Sequence, residues 1–360
     1  MALDRGCRPG CTTTYLAGEP VPVVQGVRRD TVNSGIAQYD FSDNGTLIYL
    51  PGGAGGTGDA RLAIVDRNAS AHALPLASGT YSDPRVSPDG SVAAFTASYP
   101  DGEDVTAYRL AGDSAPLRLT FGGTSRFPVW SADGLRVAFQ STRDGAPSIY
   151  WQLADGSAGA PERLTTPAGD EIHIPESFSP EGRSLLFTVQ KDNETAIWIL
   201  DLETHESKPL ISALGVDYTQ PVFSPNGKWI AYMSTETGSN EIFVQPYPPT
   251  GAKRQLPHTI DNHHPVWSAD GSELIYTPGP NRFESVRVTT EPVFSFGPAQ
   301  ALGNIPMNQA PERRRQYDIM PDGSGFLGFV TGTDDQGVER NQIDIVYNWF
   351  DELERLVPTK

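Results

Sequence analysis

Histidine and carboxylate side chains are concentrated in two short stretches of this 360-residue chain. The first stretch is Asp170-Glu171-Ile172-His173-Ile174-Pro175-Glu176, and the second is Asp261-Asn262-His263-His264. Imidazole and carboxylate groups bind divalent metals, and a metal with one open position generates hydroxide from bound water. The two stretches therefore predict one of two arrangements: a metal site with the four ligands His173, Glu176, His263 and His264, or a polar channel mouth whose imidazoles hydrogen-bond to the backbone. Zinc or manganese is the expected metal, with calcium as the alternative.

A metal-bound hydroxide needs a proton acceptor nearby, and three carboxylates close to these stretches have the right chemistry. They are Asp170, Glu171 and Asp217. With the metal, they predict a hydrolase that acts on an ester, a lactone or a phosphoester.

A second set of polar residues has the side-chain types that recognise a ligand. Arginine binds carboxylate or phosphate groups through paired hydrogen bonds, and amide or phenol groups orient a bound molecule. The set consists of Arg126, Tyr218, Gln220, Arg314 and Gln316. It predicts a site for a small molecule, a peptide or a protein. The alternative for these residues is a polar surface without a ligand, where arginines pair with acidic residues.

Two other kinds of chemistry lack their motifs. The chain has no complete Gly-x-Ser-x-Gly sequence, which disfavours a serine triad. Gly53, Gly55 and Gly58 match a dinucleotide-binding spacing, but residues 59–66 have the pattern of a strand where a pyrophosphate site needs a helix. We therefore expect no nucleotide cofactor.

A repeated turn sets the positions of the candidate residues. It reads Ser, then Pro or Ala, then an acidic residue or Asn, then Gly, as in Ser87-Pro88-Asp89-Gly90. Proline presets the first corner, Asp or Asn bonds to the backbone, and glycine accepts a positive φ. Five inner copies match closely and two outer copies are looser. Their glycines are Gly45, Gly90, Gly134, Gly182, Gly227, Gly271 and Gly323.

Short apolar stretches flank every turn, as Pro128-Val129-Trp130 and Arg136-Val137-Ala138-Phe139 do in the third unit. Four short antiparallel strands in each unit of about 45 residues are typical of a β-propeller blade. The sequence predicts an all-β propeller of seven four-stranded blades, or of six if one outer copy forms no blade. Seven residues before each turn glycine, we expect side chains that point into the channel: Gln38, Asp83, Phe127, Pro175, Gln220, His264 and Gln316.

The last unit lacks a fourth strand, and the apolar segment Glu19–Val24 has no partner of its own. We expect this segment to complete the last blade, because closure removes the exposed strand edges. Apolar residues at helical spacing after residue 347 predict a short C-terminal helix. The predicted organisation is residues 1–18 as a remnant of truncation or cloning, residues 19–347 as one propeller domain, and residues 348–360 as a helical tail.

The inner copies, such as Pro221-Val222-Phe223-Ser224-Pro225-Asn226-Gly227, resemble the PD40 or TolB-like propeller repeat of bacterial proteins. The resemblance covers about residues 19 to 350. The ending Asn348-Trp349-Phe350-Asp351-Glu352-Leu353 is similar to the tail of propellers attached to bacterial Ser/Thr kinases. The resemblance implies a non-enzymatic module that binds a ligand or a protein through its channel-mouth loops. Because the clustered histidines favour the hydrolase, both hypotheses stay open.

The overall charge limits the partners of the protein. The chain has 27 Lys and Arg and 44 Asp and Glu, so its net charge is −17. This negative charge disfavours nucleic-acid binding. Apolar runs are too short for a membrane helix, and the start of the chain lacks a signal-peptide pattern. We expect a monomer in the cytoplasm, unless truncation removed a membrane anchor or a periplasmic export signal.

Overall fold

The computed structural model describes residues 24, 27, 39–49, 60–157, 159–257, 261–279, 282–307, 309, 314–330 and 344–356. Within these residues there are 27 β-strands and one α-helix. The chain divides into two compact units. The larger is Thr57–Arg340, and the smaller combines Met1–Gly56 with Asn341–Lys360.

The first strands in chain order are β1 (Tyr39–Phe41), β2 (Leu47–Tyr49), β3 (Arg61–Asp66), β4 (Ala71–Ala73), β5 (Tyr81–Val86), β6 (Val92–Tyr99), β7 (Gly102–Arg109), β8 (Leu117–Arg118), β9 (Ser125–Trp130), β10 (Arg136–Ser141), β11 (Ser148–Leu153), β12 (Glu162–Arg163) and β13 (Ile172–Phe178). The remaining elements are β14 (Ser184–Lys191), β15 (Glu194–Asp201), β16 (Ser207–Ile211), β17 (Tyr218–Phe223), β18 (Trp229–Ser234), β19 (Glu241–Pro246), β20 (Arg254–Gln255), β21 (His263–Trp267), β22 (Glu273–Gly279), β23 (Arg282–Thr289), β24 (Ser295–Asn304), β25 (Tyr317–Ile319), β26 (Gly325–Val330), β27 (Asp344–Val346) and α1 (Trp349–Leu356).

The larger unit contains six four-stranded antiparallel sheets, which we number as blades 1 to 6. Blades 1 to 5 each use four consecutive strands, starting from β5, β9, β13, β17 and β21. Blade 6 has the order β25, β26, β3, β4, so strands from both ends of this unit form one sheet. The pairing of β26 with β3 closes the ring, because it satisfies two strand edges that would otherwise be open.

The repeated turn joins the first and second strands of the blades. In blade 1, Ser87 Oγ donates to Asp89 Oδ1 at 2.5 Å, and Gly90 donates its N–H to the Ser87 carbonyl at 2.8 Å. Gly90 has a φ of 75°, which glycine adopts without the steric cost of a Cβ atom. In blade 4, Asn226 Oδ1 accepts the same bond from Ser224 Oγ at 2.7 Å. The turns are therefore specified locally and place the ends of all inner strands at one end of the channel, the turn end.

The hydrophobic core is divided into six clusters, one between each pair of neighbouring blades. The cluster between blades 6 and 1 joins residues that lie far apart in the sequence. There the rings of Phe95 and Phe329 meet edge to face, with centroids 5.8 Å apart. Both side chains are almost completely buried, so each contributes about 1.5–3 kcal/mol of apolar burial. The sixth cluster completes a closed ring of six blades.

The predicted all-β propeller is confirmed, and the ring of the larger unit matches the six-blade alternative. The segment Glu19–Val24, predicted to close the ring, lies outside the described residues except for Val24. Within the described part of the chain, β3 and β4 complete the last blade instead, although their sequence also fits the outer strands of a first blade. Closure of the last blade by an N-terminal strand is therefore confirmed, with β3 as the strand that satisfies the edge of β26.

The smaller unit contains the first copy of the turn, which links β1 to β2. These strands form a three-stranded sheet with β27. The predicted C-terminal helix is present as α1, whose Trp349 N–H donates to the Gly45 carbonyl at 2.6 Å. Strands β1, β2 and β27 pair in a sheet of their own. The domain boundaries at residues 19–347 and 348–360 stay a prediction.

Candidate functional site

The inner strands of the ring carry a bulge at an equivalent place. In five blades the register between the first two strands shifts close to the residue that lies seven before the turn glycine. At this position Asp83, Phe127, Gln220 and His264 have φ between 54° and 58°, which few residues other than glycine adopt. In blade 3 the ring of Pro175 excludes this conformation. A bulge re-aims the side chains beside it, so simple alternation along the strand fails here.

Two predicted site residues, Gln316 and His264, belong to one buried hydrogen-bond network. Gln316 Nε2 donates to Asp83 Oδ1 at 3.0 Å, and the Gln316 N–H donates to Gln309 Oε1 at 2.7 Å. His264 Nδ1 lies 2.8 Å from Thr277 Oγ1, and Gln309 Nε2 lies 3.3 Å from His264 Nε2. His264 is completely buried. The network connects blades 1, 6 and 5 and uses both residues to hold the ring together.

An ion pair crosses the channel between opposite blades. Arg314, which leads into β25 of blade 6, has its Nη2 atom 2.5 Å from Glu176 Oε1 of blade 3. The same oxygen accepts a 2.5 Å hydrogen bond from Thr188 Oγ1, and the Arg314 guanidinium lies 5.0 Å from the ring centroid of Phe127. Because blades 3 and 6 face each other in a six-bladed ring, a contact between them must span the axis. We call Arg314 and Glu176 the crossing pair.

The predicted catalytic and metal-ligating residues before β13 form a local cluster. Glu171 Oε2 lies 3.6 Å from His173 Nε2, and Glu171 Oε1 lies 3.6 Å from Lys191 Nζ. The hydrogen bond from the Ala168 N–H lowers the pKa of the Glu171 carboxyl, and Lys191 adds to the effect. Burial lowers the pKa of the His173 imidazole, although Glu171 acts in the opposite direction. Asp170 is exposed beside this cluster.

The predicted metal ligand His263 pairs with a residue of its own loop. Its Nε2 atom lies 3.0 Å from Asp261 Oδ1, which also accepts a 3.1 Å hydrogen bond from Asn240 Nδ2. Burial acts to raise the pKa of Asp261, but the hydrogen bond from Asn240 and the nearby His263 imidazole together lower it. Among the residues that the structure describes, no three His, Cys, Asp or Glu side chains form a group that could hold a metal. A bound divalent metal stays a prediction, which elemental analysis of the purified protein tests.

Three further predicted residues lie at the start of β17. Asp217 Oδ1 accepts hydrogen bonds from the Thr195 N–H at 3.0 Å and from Thr195 Oγ1 at 2.9 Å, so it joins blades 3 and 4. Burial raises the pKa of the Tyr218 phenol. Gln220 Oε1 is buried and has no hydrogen-bond partner among the described residues.

Arg126 lies at the start of β9 and pairs with Glu103 of blade 1. Its side chain is 46% exposed, and such a pair contributes about 0–1 kcal/mol to stability. Of the predicted site residues, the structure therefore brings together Arg314 with Glu176, His173 with Glu171, and His264 with Gln316 through Gln309. The others have separate local surroundings: Asp170, Asp217, Tyr218, Gln220, Arg126 and His263.

The turn end of the channel opens into a cavity of about 410 Å³. Around its opening lie the second residues of five turns: Pro88, Ala132, Pro180, Pro225 and Ala269. Its apolar lining includes Val129, Val222 and Val266, which we call the valine wall. Its charged lining residues are Arg85, Glu176, Arg315 and Asp318, and we call this set the charged floor. We call this space the turn-end cavity. An apolar wall with a few polar groups is the usual lining of a ligand site.

The sequence analysis did not predict this cavity, because it placed the channel-facing residues seven positions before each turn glycine. The residues that line it stand five before each turn glycine: Arg85, Val129, Ser177, Val222, Val266 and Asp318. The sequence does contain a pattern that indicates the cavity lining, because three of the six blades have Val at this position and two have a charged residue. Burial and the positive charge of Arg315 lower the pKa of the Arg85 guanidinium to about 10.

Comparison with known proteins gives a family-model match over residues 169–311, to the TolB beta propeller domain, PD40. The Tol-Pal system protein TolB of Francisella tularensis subsp. tularensis strain WY96-3418 is 28% identical over 259 residues. That match covers 70% of this chain and 55% of the relative. The chain thus spans about half the length of the curated relatives that it matches.

Two solved structures are similar to this chain at the level of the fold. A structure assigned to TolB of Agrobacterium tumefaciens has a TM-score of 0.61 and 19% identity, covering 76% of this chain and 99% of that chain. TolB of Acinetobacter baumannii has a TM-score of 0.52 and 20% identity, covering 72% and 67%. Among the described residues, no helix is long and apolar enough to cross a membrane.

Proposed function

Since the chain contains a TolB-like β-propeller, we propose that it is a non-enzymatic binding module whose turn-end cavity receives a segment of a partner protein. The observation that carries this proposal is the cavity itself. Its volume of about 410 Å³ lies within the usual range of about 300–1,000 Å³ for ligand pockets. Apolar side chains of the partner segment can be buried against the valine wall, and the charged floor can orient its polar groups.

The position of the crossing pair favours a partner segment that enters the cavity from the turn end and stops there. Glu176 contributes to the cavity floor while it is bonded to Arg314 from the opposite blade. A polypeptide that passed through the whole channel would have to separate these two charges. Breaking a largely buried pair costs about 3–5 kcal/mol, so a chain end or a short projecting loop fits the cavity better.

The rigidity of the wall also supports binding. Each wall position is fixed by strand pairing and by the clusters between blades, so ordering it on binding costs little entropy. The TolB relatives from Francisella tularensis are named as proteins of the Tol-Pal system, which favours a protein partner for this chain. The predicted channel-mouth loops take part in this proposal only through Arg314, which leads into β25.

A random peptide library displayed on phage tests the proposal. Selection on the wild-type protein is followed by affinity measurement on Val222→Trp, because Val222 lines the cavity and an indole there fills it. We expect selected peptides to bind Val222→Trp at least tenfold more weakly than wild type. The matched control is Val293→Trp, since Val293 is 64% exposed and does not line the cavity.

The outcome is decided by comparing the two variants. Peptides that lose affinity for Val222→Trp and keep it for Val293→Trp support binding in the cavity. Peptides that bind both variants like the wild type place binding elsewhere and contradict the proposal. Circular dichroism and thermal unfolding of both variants confirm that the ring is folded.

A further inference from the structure

Two arginine side chains on the floor of the turn-end cavity have unused hydrogen-bond donors. Arg315 is only 9% exposed, and its buried Nη1 atom has no hydrogen-bond partner among the described residues. The nearest carboxylate is that of Asp318, whose Oδ1 lies 3.4 Å from Arg315 Nη1. Arg85 donates from Nη1 to the carbonyls of Pro84 at 2.7 Å and Arg315 at 3.1 Å. Its Nε atom is buried and has no partner among the described residues.

Such donors are unusual in a folded protein. A guanidinium carries five N–H groups, and buried polar groups are nearly always hydrogen-bonded, because an unpaired one costs about 1–3 kcal/mol. Arg85 and Arg315 both line the cavity. An occupant of the cavity would therefore lie beside two cationic side chains whose hydrogen-bonding capacity is only partly used.

The carboxylates around the floor are already engaged with other groups. Asp318 Oδ2 accepts the Val86 N–H at 3.0 Å, and Glu176 Oε1 is held by the crossing pair. Asp83 Oδ1 accepts the 3.0 Å bond from Gln316 Nε2, and Asp83 Oδ2 accepts bonds from two hydroxyl groups. No described carboxylate lies within ion-pair distance of the Arg85 guanidinium, so its charge lacks a direct partner.

We propose that Arg85 and Arg315 form a subsite for a carboxylate group of the occupant, with an adjacent apolar group against the valine wall. This subsite rests on the proposed function, since it lies in the same cavity. The forked donors of arginine match the two oxygens of a carboxylate. Asp318 stands beside the subsite and repels added negative charge, so a monoanion fits better than a phosphate dianion. The carboxylate comes either from a chain end or from an Asp or Glu side chain.

Small probes test the subsite independently of any selected peptide. 4-Methylpentanoate combines one carboxylate with a branched apolar group, and 4-methylpentanamide is its neutral analogue. We expect the carboxylate to raise the melting temperature of the wild-type protein in a concentration-dependent way, because a ligand of the folded state stabilises it. The amide and inorganic phosphate should each bind at least tenfold more weakly, in buffers matched with chloride for ionic strength.

Variants identify the residues that act. Arg315→Gln should weaken 4-methylpentanoate binding at least tenfold, and Arg85→Gln should do so if Arg315→Gln fails to fold. Arg315→Lys keeps the charge without the fork and should recover only part of the affinity. The matched control is Arg183→Gln, because the Arg183 side chain is 70% exposed and lies outside the cavity. Equal binding of acid and amide by the wild type, or unchanged binding by a folded Arg315→Gln, overturns the subsite.

The selected peptides separate the two sources of the carboxylate and the two proposals. Loss of affinity on C-terminal amidation identifies the chain end, and loss on Glu→Gln or Asp→Asn replacement identifies a side chain. Cavity-dependent peptides that tolerate both changes contradict the subsite and leave the proposed function intact. A carboxylate probe that depends on Arg315, without any cavity-dependent peptide, supports the subsite and contradicts the protein partner.

Discussion

Replacing Glu176 with glutamine removes one charge of the crossing pair and keeps the size of the side chain. The Glu176 side chain is 7% exposed and that of Arg314 is 21% exposed, so the change leaves a guanidinium largely buried without its partner. Removing one member of a buried pair typically costs about 3–5 kcal/mol. Because Arg314 keeps some contact with water, we expect a loss near the lower end, about 3 kcal/mol in the free energy of unfolding.

A double-mutant cycle isolates the interaction between the two side chains. Arg314→Met keeps an apolar stem against the Phe127 ring and removes the charge. The double variant, Glu176→Gln with Arg314→Met, contains no unpaired charge at this place. We expect it to be less destabilised than the sum of the single variants by about 1–3 kcal/mol, the usual range for residues in contact.

Urea unfolding, followed by tryptophan fluorescence and by circular dichroism, measures these free energies. Coincident transitions of the two signals establish the two-state behaviour that the cycle requires. The control is the pair of Arg183 and Glu203, whose N–O distance is 2.8 Å and whose side chains are 70% and 72% exposed. Glu203→Gln should cost no more than about 1 kcal/mol. A loss for Glu176→Gln as small as that for Glu203→Gln would refute a buried pair across the channel.

Three other predictions concern the turns, the ring closure and the core. Hydrogen bonds from the Ser272 N–H and nearby hydroxyls lower the pKa of Asp270 to about 2, so its ionised form stabilises the folded state above the unfolded pKa of about 3.9. Urea titrations from pH 5 to pH 2 should therefore show the stability difference between wild type and Asp270→Asn shrinking as the pH falls; a constant difference contradicts the carboxylate role. Gly325→Ala places a Cβ atom against the backbone of β3, where β26 and β3 close the ring, and should lower the free energy of unfolding by about 2 kcal/mol or more. The control is Gly279→Ala, whose Cβ atom meets only Arg282 Cδ at 4.0 Å and should cost less than 1 kcal/mol in urea unfolding. Trp130 Nε1 donates to the Arg85 carbonyl at 3.0 Å, while the buried Trp267 Nε1 has no hydrogen-bond partner among the described residues. Trp130→Phe should therefore lose about 1 kcal/mol more in the free energy of unfolding than Trp267→Phe, and equal losses would contradict this assignment.

The local features of the fold could be predicted from the sequence because their causes are local. The Ser-Pro-Asp-Gly turn contains its own hydrogen bonds, as Ser87 and Asp89 show. Ring closure depends instead on the pairing of β3 with β26, which are distant in the chain. The residues of β3 fit the pattern of an outer strand in either the first or the last blade, so periodicity alone cannot choose between them.

The candidate site was predicted less well, because the bulges change the direction of the side chains. His264 and Gln316 have the types and spacing of site residues, but they bond to Thr277 and Gln309 inside the ring wall. Glu176 and Arg314 were assigned to different roles, metal ligand and ligand binding, and they contact each other across the channel. Only three-dimensional geometry reveals which polar residues already satisfy one another.

The sheet that joins both ends of the larger unit has a consequence for the order of folding. β3 ends at Asp66, and its partner β26 begins at Gly325, about 260 residues further along the chain. At about 5–20 residues per second, a ribosome needs roughly 13–50 s to make this stretch. All strands of blades 1 to 5 are synthesised before β26, and until then β3 and β4 lack the other two strands of their sheet. Ring closure is therefore the last step in the folding of the larger unit during synthesis, and the rate of translation sets its earliest time.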